Sequence, residues 1–224
     1  MKIGVLGSSG GSAFAAFHDI VAAASPGRHT FVAVSDRAGG FEQVCRDRGI
    51  PLLRSESGDN DAVSREAAAF LAADGDPDIV LLYFLRLVTE ALYGRFATFN
   101  IHPSLLPEFP GFRPLEQALA AGASRFGATL HQVDASVDGG PVVAQIGMPL
   151  AAEATIEDLE KRSYLQKVYC ALLLVDLIER GALRIDGPEV HLDAGRRGNA
   201  ALENRALLEG FRELQRVERV EGVP

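Results

Sequence analysis

Residues 2–24, KIGVLGSSGGSAFAAFHDIVAAA, decide the predicted fold. A short apolar run ends in the glycine- and serine-rich turn 7–12, and from Ala13 onward apolar side chains recur with helical spacing. A strand, a tight glycine turn and a helix in this order open an α/β unit. The stretch therefore predicts a buried strand followed by a helix that packs on one face of a sheet.

The same alternation continues along the next sixty residues. Further extended segments are predicted at 30–35, 51–54 and 78–83, and helices at 40–48 and 62–73. The last of these strands, DIVLLY, is apolar on both faces, as a strand covered by helices on both sides must be. We therefore predict an α/β fold, a Rossmann-like and mostly parallel sheet with helices on both faces.

The second half of the chain has a different character. Four prolines between 103 and 114 predict an irregular loop, and a short helix follows it. Two strands, 127–133 and 141–148, are predicted on either side of a turn. A long helix is predicted from a Thr155 cap to Glu179 and ends before Gly181, with one apolar face packed inward.

The C-terminal residues predict an appended segment. We divide the chain into a catalytic domain, 1–186, and an extension, 187–224, with a hinge-like break at Gly195–Gly198. An amphipathic helix is predicted over 200–217, with Leu207, Phe211 and Leu214 on one stripe. Docking of this helix on its own domain is favoured over a dimer contact, so both a monomer and a homodimer remain open.

The composition and net charge of the chain limit the classes of partner that it can bind. The net charge of −8 argues against broad attraction to nucleic acid or an anionic membrane. The two cysteines, Cys45 and Cys170, have neither disulfide-framework nor metal-site spacing, which is typical of the reducing cytosol. No apolar stretch is long enough to span a bilayer. We therefore expect a cytoplasmic protein without a metal site, a nucleic-acid partner or a membrane partner.

The turn after the first strand is a candidate anion site. Backbone N–H groups of Gly10, Gly11 and Ser12, at the start of a helix, can bind a phosphate. The spacing does not match GxGxxG, and glycine is also what a tight strand-to-helix connection needs. Phosphate binding and a purely structural turn are both open.

Three polar residues suggest acyl-transfer chemistry. Asn100 and His102 end a predicted strand, where open α/β sheets bind ligands, and residues two apart on a strand face one cleft. An asparagine amide can donate to a developing oxyanion, and a histidine can move a proton. Asp138 could orient His102 and stabilise its charged form. Taken singly, His102 is equally compatible with a core histidine, and Asp138 is more typical of a turn aspartate.

The runs NIHPSLLPEFPG, residues 100–111, and GATLHQVDASVDGGPVVAQ, residues 127–145, resemble the folate-dependent formyltransferase family. The resemblance covers most of residues 1–185, and it is closest to the branch that formylates glycinamide ribonucleotide in purine biosynthesis. It implies the formyltransferase fold, 10-formyltetrahydrofolate as the formyl donor, and a small-molecule amine as the acceptor. It also implies that Asn100, His102 and Asp138 are catalytic.

The resemblance places the folate beside 84–88 and the 134–140 loop. Leu85 and Val88 offer apolar area for the pteridine, and backbone groups around Arg86 and Val137 can bind its polar edge. Arg65 is a candidate for the glutamate tail of the carrier. The implied folate-binding residues are Arg65, Phe84, Leu85, Arg86, Val88 and Val137.

Departures from the branch concentrate where the acceptor would bind. The glycine turn lacks the two asparagines of the branch, Tyr83 replaces a small glycine, and Lys167 replaces a glutamate near the acceptor amine. Glycinamide ribonucleotide therefore competes with an amino-sugar nucleotide and with an amino-acid-derived amine. Two other functions remain as alternatives: a formyltetrahydrofolate hydrolase, with water as acceptor, and a non-catalytic nucleotide-binding Rossmann module.

Overall fold

A computed structural model describes residues 1–8, 10–192, 201–220 and 223. Its main sheet has seven strands in the order β3-β2-β1-β4-β5-β6-β7. Strands β1 to β5 are parallel, and β6 runs antiparallel to both of its neighbours. The strands are β1 (Lys2–Gly7), β2 (Thr30–Ser35), β3 (Leu52–Arg54), β4 (Ile79–Tyr83), β5 (Thr98–His102), β6 (Arg125–Gln132) and β7 (Val142–Pro149).

Helices cover both faces of this sheet, which confirms the predicted fold class. A large core joins the sheet to α1, α6 and α7, and a smaller core joins the opposite face to α3 and α4. The helices are α1 (Ser12–Ala24), α2 (Gly40–Asp47), α3 (Asn60–Leu71), α4 (Glu90–Tyr93), α5 (Pro114–Ala120), α6 (Ile156–Glu179) and α7 (Arg205–Glu218). None of the helices in the described part of the chain is long and apolar enough to cross a membrane.

Helix α6 begins as predicted but is buried more completely than expected. Thr155 and Asp158 form a capping box, in which each side chain accepts a hydrogen bond from the other residue's backbone N–H. From Val168 to Leu177 every side chain is buried, so the prediction of a single inward face was wrong. The sheet covers one side of α6, and α1 and α7 cover others.

The C-terminal residues add a hairpin that the sequence did not predict. Strands β8 (Leu183–Asp186) and β9 (Glu189–Leu192) pair antiparallel, and the proposed domain boundary after 186 falls in their turn. Each strand is only four residues long, so its apolar–polar alternation covers too few residues to stand out, which explains why the hairpin was missed. The hinge-like break at 195–198 lies outside the described residues. The division into two domains stays a prediction.

Helix α7 packs on its own chain, the arrangement that the sequence favoured over a dimer contact. Leu207 and Phe211 are buried, and the Phe211 ring lies edge-on to Tyr169 of α6 at 5.1 Å between ring centres. The Asp176 carboxylate of α6 accepts hydrogen bonds from the backbone N–H groups of Glu203 and Asn204, just before α7. These contacts make α7 part of the large core.

The topology creates a crevice at one edge of the sheet. From β1 the chain builds outward to β2 and β3, and it then returns to place β4 and β5 on the other side of β1. At such a switch point the loops that follow the neighbouring strands diverge and leave a cleft. The carboxyl ends of β1, β4 and β5 all open into this cleft.

Candidate active site

A cavity of about 600 Å³ occupies the cleft, and we call it the active-site cavity. Its walls come from the turn after β1, the ends of β4 and β5, the loops 111–114 and 133–138, and α6. It contains all but one of the residues that the sequence selected: Gly10, Gly11, Ser12, Tyr83, Phe84, Leu85, Arg86, Val88, Asn100, His102, Val137, Asp138 and Lys167.

Arg65 is the exception. It lies on the exposed part of α3, where its guanidinium pairs with Asp61 one turn earlier. It does not line the active-site cavity. The structure therefore gives no support to Arg65 as a contact for the folate tail.

His102 and Asp138 meet in this cavity. The His102 side chain is buried, with Nδ1 3.3 Å from Asp138 Oδ2 and Nε2 2.8 Å from the Phe109 carbonyl oxygen. Both ring nitrogens thus face oxygen atoms that can only accept hydrogen bonds. The carboxylate and the carbonyl oxygen therefore hold the ring from its two sides and fix its orientation.

Asp138 is held by its loop. Its backbone adopts the left-handed conformation with φ 54°, which aspartate and asparagine tolerate better than most residues. Its Oδ2 also accepts a hydrogen bond from the Gly111 N–H at 2.8 Å. The carboxylate therefore links the 133–138 loop to the loop after β5 and fixes the position of His102.

Asn100 has a partner that the sequence reasoning missed. In the antiparallel register of β5 and β6, Asn100 lies directly opposite His131, and Asn100 Nδ2 is 3.3 Å from His131 Nε2. Burial lowers the pKa of His131, so its ring is neutral near pH 7. Its Nδ1 donates to the Gln132 carbonyl at 3.0 Å, which leaves Nε2 to accept from the Asn100 amide.

This pairing fixes how Asn100 can act. Because one amide hydrogen of Asn100 is bonded to His131, the amide orientation is set and the other hydrogen remains for a ligand. His131 Nε2 is also 3.7 Å from Asp138 Oδ1, so these four side chains form one cluster. His131 stands in the run 127–145 that carries the family resemblance, but its contact with Asn100 follows only from the β5–β6 register.

The mouth of the cavity is apolar. Leu85, Leu87, Phe112 and Val137 each expose half or more of their surface there. Exposed apolar side chains that line a cavity favour a planar or apolar ligand. The Leu85 N–H is already bonded to Ser8 Oγ at 2.9 Å, so it is not available to such a ligand.

The guanidinium of Arg86 holds a loop in place and does not face the cavity. Its guanidinium turns away from the cavity and donates to Asn60 Oδ1, to the Ser57 carbonyl and to the Gly58 carbonyl, at 2.6 to 2.9 Å. These bonds tie the loop after β4 to the start of α3. The side chain therefore supports the shape of the folate-side wall.

The turn after β1 has a structural role beside its possible role in binding. Gly11 is the residue before α1, with φ 77°, and a Cβ there would lie 2.6 Å from the Phe41 Cα. A Cβ at Gly7 would enter the Phe41 ring. At Gly10 a Cβ would meet nothing within 4 Å. Packing against α2 thus explains Gly7 and Gly11 but not Gly10.

We expect Gly11→Ala to destabilise the protein by about 2 to 4 kcal/mol. The methyl group must meet the backbone of α2, and alanine disfavours the left-handed conformation. Gly10→Ala is the matched control and should change the free energy of unfolding by less than about 1 kcal/mol. Urea denaturation followed by circular dichroism measures both, and equal stability of the two variants would contradict this explanation.

Among the described residues, no group of three or more His, Cys, Asp or Glu side chains could hold a metal ion. The polar side chains that meet in the cavity are Asn100, His102, His131 and Asp138.

Comparison with known proteins identifies the class. Residues 1–173 match the family model described as formyl transferase, so the chain belongs to the formyl transferase family. This match confirms the predicted family, and with it an enzyme of formyl-group transfer.

The particular relatives are phosphoribosylglycinamide formyltransferases. That of Haemophilus influenzae is 36% identical over 117 residues, which cover 51% of this chain and 55% of the relative. That of Mycobacterium tuberculosis H37Rv is 32% identical over 166 residues, which cover 72% and 77%. The structure of glycinamide ribonucleotide transformylase 1 from Symbiobacterium toebii superposes with a TM-score of 0.76 at 35% identity, over 86% of this chain and 94% of that one.

Proposed function

We propose that this protein is an N-formyltransferase that moves the formyl group of 10-formyltetrahydrofolate to a primary amine of a small molecule. The observation that carries the proposal is the cluster of Asn100, His102 and Asp138 at the inner end of one cavity, within a chain of the formyl transferase family. The cluster supplies an oxyanion donor, an imidazole that can move a proton and a carboxylate, which are the groups that amine formylation requires.

The cavity suits a folate carrier at its mouth. The exposed apolar side chains Leu85, Leu87 and Val137 can cover a flat heterocycle, and backbone groups of the 133–138 loop can bind its polar edge. Bound there, the carrier supplies an activated formyl group. The remaining task for the chain is to place an amine against that group and to manage charge and protons.

Each residue of the cluster has a distinct role in the proposal. The free amide hydrogen of Asn100 stabilises the oxygen that gains negative charge, an effect of about 2.7 to 4 kcal/mol per donor. Charged His102 is the second donor, and it can reach a reacting atom from Nε2 only after the Phe109 carbonyl gives up its contact. Asp138 balances the imidazolium charge and can pass the amine proton through water.

Glycinamide ribonucleotide is the first acceptor to test, because the relatives described above carry its name. The N–H groups at the start of α1, where Gly11 offers no capping side chain, suit its phosphate. An amino-sugar nucleotide and an amino-acid-derived amine are the competing acceptors.

The deciding assay follows loss of 10-formyltetrahydrofolate with and without glycinamide ribonucleotide. Consumption of the donor that depends on an amine, with formation of the formylated product, supports the proposal. Equally rapid consumption without any amine would replace it with hydrolysis. No binding of tetrahydrofolate by calorimetry would exclude both and revive a non-catalytic nucleotide-binding module.

Three further properties stay predictions of the sequence: a cytoplasmic location, a monomer or homodimer, and the absence of nucleic-acid and membrane partners. The cysteines agree with a reducing compartment, since Cys45 and Cys170 are buried and unpaired.

A further inference from the structure

We infer that Ser8 and Asp36 are positioning residues for the folate-side wall, the loop 84–88 that follows β4. They act through a chain of hydrogen bonds in which the Leu85 N–H donates to the Ser8 hydroxyl and this hydroxyl donates to the Asp36 carboxylate. The inference rests on the proposed formyl transfer and deepens it, because it names the groups that hold the carrier's binding surface in place.

The folate-side wall turns apolar side chains toward the mouth of the cavity. Leu85 and Leu87 each expose half or more of their surface there, so burial of these side chains does little to fix the loop. A surface of this kind binds a ligand well only when the protein holds it in the binding conformation beforehand. The hydrogen bonds of the loop must therefore supply that support.

The first observation is the position of Ser8, the first residue after β1. Its N–H donates to the Tyr83 carbonyl at 3.2 Å, and its Oγ accepts a hydrogen bond from the Leu85 N–H at 2.9 Å. Ser8 borders the active-site cavity, but only 1% of its surface is exposed. It therefore acts through its neighbours, and its two bonds hold the chain on both sides of Phe84.

The second observation is a buried carboxylate beside Ser8. Asp36 is the first residue after β2, its side chain is 1% exposed, and Arg37 donates to it from Nε and Nη2 at 3.1 and 2.7 Å. Burial alone would raise the pKa of the Asp36 carboxyl, but hydrogen bonds from Arg37 and from the Ser8 hydroxyl lower it. Asp36 is therefore an oriented carboxylate at neutral pH.

The two neighbours of the Ser8 hydroxyl fix its direction. The Leu85 N–H can only donate and the Asp36 carboxylate can only accept, so the group between them must do both. A hydroxyl does so with one hydrogen and one lone pair. Strands β2, β1 and β4 are neighbours in the sheet, and each supplies one member of the chain just beyond its carboxyl end.

The hydrogen bonds of Arg86 support the wall from the opposite side. They join it to residues 57–60, at the start of α3, and leave the β1 side to Ser8. Loss of the Ser8 hydroxyl therefore releases Leu85 on that side and weakens carrier binding. The chemistry should change little, because the catalytic cluster is held by separate bonds within β5, β6 and the 133–138 loop.

Calorimetry with tetrahydrofolate, together with steady-state kinetics, tests the role of Ser8. Ser8→Ala is expected to raise the Kd about tenfold, the equivalent of one lost hydrogen bond, and to leave kcat at saturating donor little changed. Ser8→Thr keeps the hydroxyl and should recover most of the affinity. Ser25→Ala is the control, because Ser25 is a buried serine at the far end of α1.

A double-mutant cycle tests the role of Asp36. Asp36→Ala is expected to raise the Kd severalfold, and the double variant to bind no more weakly than Ser8→Ala, because Asp36 acts through the Ser8 hydroxyl. Effects of the two substitutions that simply add would remove Asp36 from the chain of hydrogen bonds.

Amide hydrogen exchange of the free protein provides a readout that does not need formyl transfer. The Leu85 N–H should exchange about tenfold or more faster in Ser8→Ala than in the wild type, and Asp36→Ala supplies the same readout if Ser8→Ala does not fold. Unchanged exchange at Leu85, or wild-type affinity in Ser8→Ala, would overturn the inference alone. A wild type that binds no tetrahydrofolate would overturn the proposed function as well.

Discussion

His102→Ala is expected to lower the turnover number for formyl transfer by about a hundredfold to ten-thousandfold, the usual contribution of a positioned acid–base group. The variant removes the imidazole that Asp138 holds at 3.3 Å, and with it both a donor to the oxyanion and a route for the proton. Binding of tetrahydrofolate should change little, since the apolar mouth is untouched. Single-turnover kinetics at saturating donor measure the loss.

Two further variants show whether the loss of turnover is specific to the proposed catalytic residues. Asp138→Asn removes the carboxylate charge but keeps a residue that tolerates the left-handed backbone, so it should lose activity without losing the fold. His191→Ala, an exposed histidine on β9, should leave turnover unchanged. Near-normal turnover in His102→Ala or Asp138→Asn would remove these residues from the mechanism.

Phe211→Ala is expected to lower the free energy of unfolding by about 3 to 5 kcal/mol, as for other fully buried phenylalanines. The ring is completely buried and contacts Tyr169, so its loss leaves a cavity in the large core. Val217→Ala on the same helix is the control, because Val217 is 67% exposed. Urea denaturation with a single transition in the wild type measures both changes.

The same experiment tests the domain division. If residues 187–224 formed an independent extension, Phe211→Ala would melt that part alone and leave the main transition in place. We expect instead one shifted transition, because α7 shares its core with α1 and α6. A destabilisation below about 1 kcal/mol would indicate that α7 contributes little to the core.

Much of the fold was predictable because its signals are local. The strand–turn–helix order, the doubly apolar β4 and the Thr155 capping box each depend on a few neighbouring residues. The hairpin β8–β9 was not predicted, since each strand is only four residues long and its alternation covers too few residues to stand out. The unbroken burial of α6 from Val168 to Leu177 was also hidden, because it depends on α7, which follows α6 in the chain.

The site was predictable in part. Asn100, His102 and Asp138 were found because they belong to recognisable motifs, and the structure brings them together. His131 was missed because only its strand register pairs it with Asn100. Arg65 was included on resemblance alone, and it points to Asp61 instead.

The sequence by itself determined the class of fold, the family and the three residues of the catalytic proposal, since periodicity and short motifs are local properties of the chain. The tertiary structure alone decided which side chains meet in the site. Asn100 comes from β5 and His131 from β6, and only the antiparallel register of these strands places them opposite each other. Register is a property of the assembled sheet, so the contact cannot be read from either segment.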